Sequence, residues 1–174
     1  LKDETLKLFQ ITNDIEVIPN FIELNKNIDD KSIPCYRSVI ANAEERVITH
    51  ISNFRKVKRI PDVIKIFYKI QQQIPAKLMM VGDGPEKEKA EQLCFELGIQ
   101  DKVIFFGNSN EIDRILSYSD LFLLPSETES FGLAALEAMA LSVPVISSNS
   151  GGLPEVNFDG ISGYLSDVGE IDAM

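Results

Sequence analysis

Histidine and cysteine are almost missing from these 174 residues, which hold one of the first and two of the second. An ordinary zinc site needs several such ligands, so His50, Cys35 and Cys94 do not make one. Two cysteines so far apart form no disulfide framework either, and a reducing cytoplasm is the expected compartment. Cations are the scarcer charge, with 17 lysines and arginines against 27 carboxylates and a net charge of −10. That balance argues against nucleic acid and anionic membranes as general partners, although a local basic cluster can override it. No uncharged run approaches the roughly 18 residues that a spanning helix needs, so no transmembrane segment is expected. The chain opens on Leu1 rather than Met and shows no signal peptide, which marks it as an expected fragment.

What is present is an alternation of short apolar runs and amphipathic stretches. Apolar residues at 44% and charged ones at 25% describe a soluble globular protein, and the length suits one domain with a real core. Strands are expected at 47–51, 78–81, 102–106, 121–124, 143–146 and 163–165. Helices are expected at 60–73, 85–97, 111–118 and 131–140, with one more starting near 152. Upstream, 1–10 has helical spacing, 15–18 reads as a short strand stopped by Pro19-Asn20, and 35–42 as a helix. Repeated strand–helix units predict an α/β fold, a Rossmann-like parallel sheet with helices on both faces.

One stretch organises the rest. Residues 121–124 form an apolar run ended by Pro125, a polar loop follows, and 131–140 is rich in Leu, Ala and Met. In open α/β sheets, ligands sit beyond the carboxyl ends of such strands, where the next helix begins. Unpaired amides and the helix dipole favour an anion there, most often phosphate. Ser130 or Glu129 is placed to cap the helix, and Gly132 lets a ligand approach the backbone at Phe131 and Leu133. Glu129 and Glu137 frame the turn with seven residues between them. Either alone reads as a capping or solvated carboxylate; the pair, with the glycine and the flanking strands, suggests a site for sugar or ribose hydroxyls.

Three other clusters carry chemistry. Arg55, Lys56, Lys58 and Arg59 put four cations into five residues after the first main strand, either a diphosphate clamp or a solvated basic turn. Gly82-Asp83-Gly84-Pro85 lacks the third glycine of a dinucleotide fingerprint, since Lys87 stands in its place. His50, at a strand end, reads as a structural residue.

The central stretch resembles the retaining glycosyltransferases of the large GT-B-fold family four. Its matching residues are Glu129, Phe131, Gly132, Leu133, Glu137, Ala138, Met139, Ala140, Pro144, Val145, Gly151, Gly152 and Glu155; it departs at Ser142, where the family usually has Gly. The resemblance implies the donor-binding half of such an enzyme. Residues 1–24 would then be the remnant of an acceptor domain, 25–44 a linker, and 45–174 a donor domain whose C-terminal end is truncated. It makes Lys58 the phosphate lysine, with Asn53 at the family's usual arginine position and Arg55 as the other candidate. Glu129 is implied as the sugar-hydroxyl ligand and, with Lys58, as catalytic; Glu137 as the ribose ligand; Ser130 and the amides of Phe131, Gly132 and Leu133 as donor contacts. Gly107-Asn108 falls where the family holds uracil through backbone groups.

No cofactor and no metal are implied, in keeping with the missing Asp-x-Asp pair of the other major glycosyltransferase fold. Ser52-Asn53-Phe54-Arg55 with Val57-Lys58-Arg59 is similar to the branch that joins N-acetylglucosamine to L-malate in bacillithiol synthesis. That implies UDP-N-acetylglucosamine as donor and a small hydroxy acid, bound through the missing domain, as acceptor. This chain alone is then expected to be inactive, and its apolar face at Leu6, Phe9, Ile15 and Val17 to be exposed or recruited in self-association. The alternatives are a non-catalytic nucleotide-sugar module on the same fold, or a related transferase with another donor and acceptor.

Overall fold

A computed structural model describes residues 2–10, 12–23 and 37–174 of the chain. Its centre is a six-stranded sheet of β1 (Arg46–Ile51), β2 (Ala76–Val81), β3 (Val103–Gly107), β4 (Leu121–Leu124), β5 (Val145–Ser148) and β6 (Gly163–Ser166). The spatial order is β3-β2-β1-β4-β5-β6, and every pairing is parallel. Parallel neighbours need crossovers, which the helices supply. They are α3 (Ile60–Gln71), α4 (Lys87–Glu96), α5 (Ile112–Leu116), α6 (Leu133–Ala140) and α7 (Leu153–Val156), preceded by α1 (Lys2–Phe9) and α2 (Arg37–Ile40).

Why the strands read as continuous apolar runs is plain from their two faces. Leu78 and Met80 of β2 point into one core with Ile48, Leu123 and the buried face of α3, formed by Ile60, Val63, Ile64 and Phe67. Met79 and Val81 point into another with Val47, Ala41 and Ile115. Phe122, Leu124 and Val145 join Ala135 and Ala138 of α6 in a third. Both faces are covered, so neither needs a polar residue at every second position.

Strand order reverses between β1 and β4, because the chain runs outward from β1 through β2 to β3 and then returns to β4. Loops leaving two such strands diverge, and a crevice opens above their carboxyl ends. His50, fully buried at the end of β1, spans this junction. Its Nδ1 lies 2.8 Å from the Leu123 carbonyl of β4, and its Nε2 2.8 Å from the Ser52 hydroxyl. Burial pushes the imidazole down to about 4, against the raising effect of the Leu123 carbonyl, so the ring is neutral. Nδ1–H therefore donates to Leu123 and Nε2 accepts from Ser52.

The upstream residues differ from expectation in one place. Residues 15–18 form no strand; a strand needs a ladder, and none of the described residues pairs with them. Val17, Ile18 and Phe21 are exposed there, as are Leu8 and Phe9 of α1, while Leu6 and Ile15 are half-buried. The helix expected at 35–42 is present over Arg37–Ile40 and is tied to the sheet. Arg37 Nη2 donates to Asp120 Oδ2 at 2.8 Å, and the Val47 amide donates to the same oxygen at 2.7 Å. Burial opposes ionisation of Asp120, but those two donors hold its carboxyl below the usual range. The rest of the polar stretch, 24–36, lies outside the described residues.

Candidate functional site: a cavity where the strand order reverses

Above the ends of β1 and β4 lies a cavity of about 390 Å³. Ile51, Ser52, Asn53 and Lys58 line it from the first loop, and Glu129, Ser130, Phe131 and Gly132 from the second. The start of α6 closes it with Leu133, Ala134 and Glu137. Although Lys58 and Glu129 are 71 positions apart in sequence, the two loops thus meet over one space.

The loop after β1 turns tightly. A single 3-10 turn, Lys56–Lys58, brings Lys58 back over the sheet, and Arg59 at φ 51° starts α3. Lys58 Nζ reaches Glu129 Oε1 at 2.5 Å, with both side chains largely shielded from solvent. Of the four cations, this one alone lines the cavity. Arg59 turns instead to Asp62 at 2.5 Å, and Arg55 and Lys56 are exposed to solvent.

The loop after β4 is held by its own backbone and by its neighbours. The Glu127 amide donates to the Val57 carbonyl at 2.8 Å, which joins the two loops. Ser148 Oγ donates to the Ser126 carbonyl at 2.5 Å, Ser150 Oγ to the Glu127 carbonyl at 2.8 Å, and the Gly152 amide to the Glu129 carbonyl at 2.8 Å. Gly151 and Gly152 permit that approach. A Cβ on Gly151 would lie 2.1 Å from the Glu129 carbonyl oxygen, and one on Gly152 2.5 Å from that of Ser130. The Gly-Gly turn is therefore a backbone cradle for the loop that carries Glu129.

Neither Glu129 nor Ser130 caps α6. Gly132, at φ 93°, is the N-cap residue, and no side chain bonds the first turn. The carboxylate expected to cap is occupied by Lys58 and by Ser126 Oγ, which donates to it at 2.9 Å. The opening amides of α6, which an α-helix leaves without internal partners, thus face the cavity wall uncapped and suit an anion. Glu137 sits one turn further on, half-buried; burial, and secondly the charge of Asp113, raises its carboxyl above the ordinary value.

Asn53, Lys58, Glu129, Ser130, Phe131, Gly132, Leu133 and Glu137 are thus brought together, whereas Arg55 and Asn108 are not among the lining residues. Asn108 follows β3, two strands away from β1. The Gly82 turn has a supporting part: a Cβ on Gly82 would lie 1.8 Å from the Ser52 carbonyl oxygen, and the Glu86 amide donates to Phe54 at 2.9 Å. It packs beneath the first loop. Sequence reasoning missed two residues. Asn20 lines the cavity from the upstream segment, and no local pattern links it to residues over thirty positions on. Ser126 had only its place between Pro125 and Glu129 to mark it. Among the described residues, no group of His, Cys, Asp and Glu is arranged to hold a metal ion, and no helix is long and apolar enough to cross a membrane.

Comparison with known proteins bears on this site. Residues 36–174 match the family described as Glycosyl transferases group 1. The chain is 44% identical over 170 residues to the N-acetyl-alpha-D-glucosaminyl L-malate synthase of Bacillus anthracis, covering 98% of this chain and 45% of that protein. It is 34% identical over 163 residues to an uncharacterized glycosyltransferase of Methanocaldococcus jannaschii, covering 90% and 42%. The chain therefore spans less than half the length of these relatives. Among solved structures, Anabaena HepE in complex with UDP and glucose superposes with a TM-score of 0.69 at 28% identity, over 74% of this chain and 36% of that one. A glycosyltransferase from Rickettsia africae gives a TM-score of 0.86 at 22% identity, over 99% and 48%, a likeness of fold.

Proposed function

Because the chain belongs to the group 1 glycosyl transferases, we propose that its cavity holds a nucleotide sugar, UDP-N-acetylglucosamine, and that the whole protein transfers the sugar to L-malate. The name of the Bacillus anthracis relative supports that donor and acceptor, and the UDP bound by HepE supports the base. Bacillithiol synthesis is the pathway this reading implies. The observation that carries it is the meeting of Lys58 with Glu129 beside an uncapped helix start, where the strand order reverses.

In this reading the bond that breaks joins the sugar's anomeric carbon to the β-phosphate oxygen. Negative charge then grows on the diphosphate, and Lys58 and the amides at Phe131–Leu133 stabilise it as fixed groups that need no reorganisation. That arrangement meets the leaving charge with protein groups rather than a metal. Glu129 accepts hydrogen bonds from sugar hydroxyls, and Glu137 from the ribose diol. The acceptor hydroxyl attacks from the face that the diphosphate leaves, which preserves anomeric configuration, and a diphosphate oxygen takes its proton.

The acceptor's walls lie outside this chain. Orientation and effective concentration account for roughly 7–11 kcal/mol of such barriers, so donor contacts alone do not sustain turnover. The 174-residue chain should bind UDP weakly, bind UDP-N-acetylglucosamine only slightly better, and transfer nothing to malate. Calorimetry with UDP, UDP-N-acetylglucosamine and NAD tests this. Tight NAD binding, or no UDP binding by folded protein, would refute the reading.

A further inference from the structure

The two oxygens of Glu129 are used unequally. Oε1 accepts both from Lys58 Nζ, at 2.5 Å, and from Ser126 Oγ, at 2.9 Å, while no described residue bonds Oε2. Ser126 is fully buried, two residues beyond β4. Its own carbonyl is fixed by the buried Ser148 hydroxyl. The hydroxyl that holds Glu129 is therefore itself held, from β5, and does not depend on any ligand.

Lys58 is in a different position. Its ammonium rests on one carboxylate oxygen that it shares with a hydroxyl, at the wall of the cavity. A diphosphate offers more negative charge and more acceptor oxygens than that shared oxygen does. An arriving diphosphate thus competes with Glu129 for one cation. When it wins, Glu129 loses its charged donor, and a carboxylate shielded from solvent needs another partner to remain ionised and in place.

We propose that Lys58, Glu129 and Ser126 form a built-in exchange: Glu129 holds Lys58 in the empty cavity, the diphosphate draws Lys58 away, and Ser126 keeps the carboxylate in register with Oε2 directed to the sugar. This rests on the nucleotide-sugar reading. Ser126 is a positioning residue in it, since it acts through Glu129 and touches no ligand. Its hydroxyl also weakens the grip of Glu129 on Lys58, because it takes part of the same oxygen. Removal of the carboxylate charge should therefore help UDP to bind, and removal of the hydroxyl should hinder it.

The test is UDP affinity, measured by calorimetry on the native chain, Glu129→Gln, Ser126→Ala and the double variant. Glu129→Gln should bind UDP about fivefold more tightly, because Lys58 is no longer paired with an anion. Ser126→Ala should bind about threefold more weakly, and in the Glu129→Gln background its effect should vanish. A general packing role for Ser126 would give the same loss in both backgrounds, which overturns the proposal, as does an unchanged or weaker affinity in Glu129→Gln. Should Glu129→Gln not fold, Glu129→Asp, one carbon shorter, must still bind UDP more tightly than the native chain. Failure of the native folded chain to bind UDP strikes instead at the nucleotide-sugar reading, and separates the two claims.

Discussion

The loops that leave β1 and β4 flank one cavity but bring opposite charges to it. The β1 loop carries four cations, of which Lys58 alone lines the cavity, on a backbone that Gly82 and Gly84 approach closely at Ser52 and Phe54. The β4 loop carries carboxylates, yet hydroxyls, amides and two glycines from the turn after β5 hold its backbone at several points. Charge is cheap to place on a surface and says little by itself; a charge whose position is over-determined says much more. Each loop lends the other what it lacks, the ammonium of Lys58 on one side and the fixed oxygen of Glu129 on the other.

The largest effect should come from breaking the restraint rather than the charge. Gly151→Ala would set a Cβ 2.1 Å from the Glu129 carbonyl oxygen in a backbone with φ 61°. A left-handed L-residue costs about 1–2 kcal/mol, and overpacking typically adds 1–3 kcal/mol, each as an order of magnitude. Urea unfolding should show a loss of roughly 2–5 kcal/mol, and UDP binding should disappear with it. An unchanged midpoint would mean that the cradle is not a restraint.

Next comes the residue that joins the two strands beneath the loops. His50 is buried and neutral, pushed from an ordinary 6.5 to about 4, and is the chain's only histidine. The unfolded chain takes up its proton near 6.5 while the folded chain resists until about 4. Stability is therefore full above 6.5 and falls as the pH drops through that window. The total loss is about 3 kcal/mol as an order of magnitude. Glu137, whose carboxyl is raised by burial, works in the opposite sense and offsets part of it. Urea midpoints between pH 7 and 4.5 should fall steeply in the native chain and only slightly in His50→Gln. Parallel curves for the two proteins would remove His50 from that part.

The charged loop is tested by contrast within itself. Lys58→Ala should weaken UDP binding about tenfold, the size of one charge-assisted hydrogen bond of about 1.5 kcal/mol. Arg55→Ala, exposed and away from the cavity lining, should change it less than about twofold. If the two lose equally, the β1 loop works as a diffuse basic patch and the geometry of the 3-10 turn is irrelevant to binding.

The two loops were also unequally legible in the sequence. The parallel sheet was legible because 121–124 and 78–81 are apolar on both faces, as only a doubly covered strand is. Residues 121–124 form β4 to the residue. The β4 loop was legible through its flanking strands and its Phe-Gly-Leu turn, whereas nothing in the residue types showed that Gly151 and Gly152 cradle Glu129 and Ser130. In the β1 loop the resemblance put Lys58 first but left Asn53 and Arg55 unranked, since solvent suits either side chain and only the folded turn leaves Asn53 at the cavity and Arg55 away from it. The expected cap failed for a non-local reason: the partner that claims Glu129 lies 71 positions away in sequence. So did the strand at 15–18, whose alternation is real but finds no described ladder.

The smallest effect sharpens where the β4 unit stores its strain. Ser142 stands where the resemblance calls for Gly, just after α6, and its φ is 62°. The left-handed region crowds the Cβ of any L-residue against the following carbonyl, at about 1–2 kcal/mol, while glycine occupies it freely. The short turn requires it: the Ser142 amide donates to Met139 and the Val143 amide to Ala138, so the chain must reverse there to enter β5. Ser142→Gly should therefore raise stability, less the extra entropy that glycine loses on folding, for a net gain of up to about 1 kcal/mol. Because Ser142 lies at the far end of α6 from the cavity, UDP affinity should stay the same. A denaturation midpoint that rises with unchanged UDP binding would locate the strain outside both loops. A gain in stability matched by a loss in binding would show instead that the loop after β4 draws on strain stored at the end of its helix.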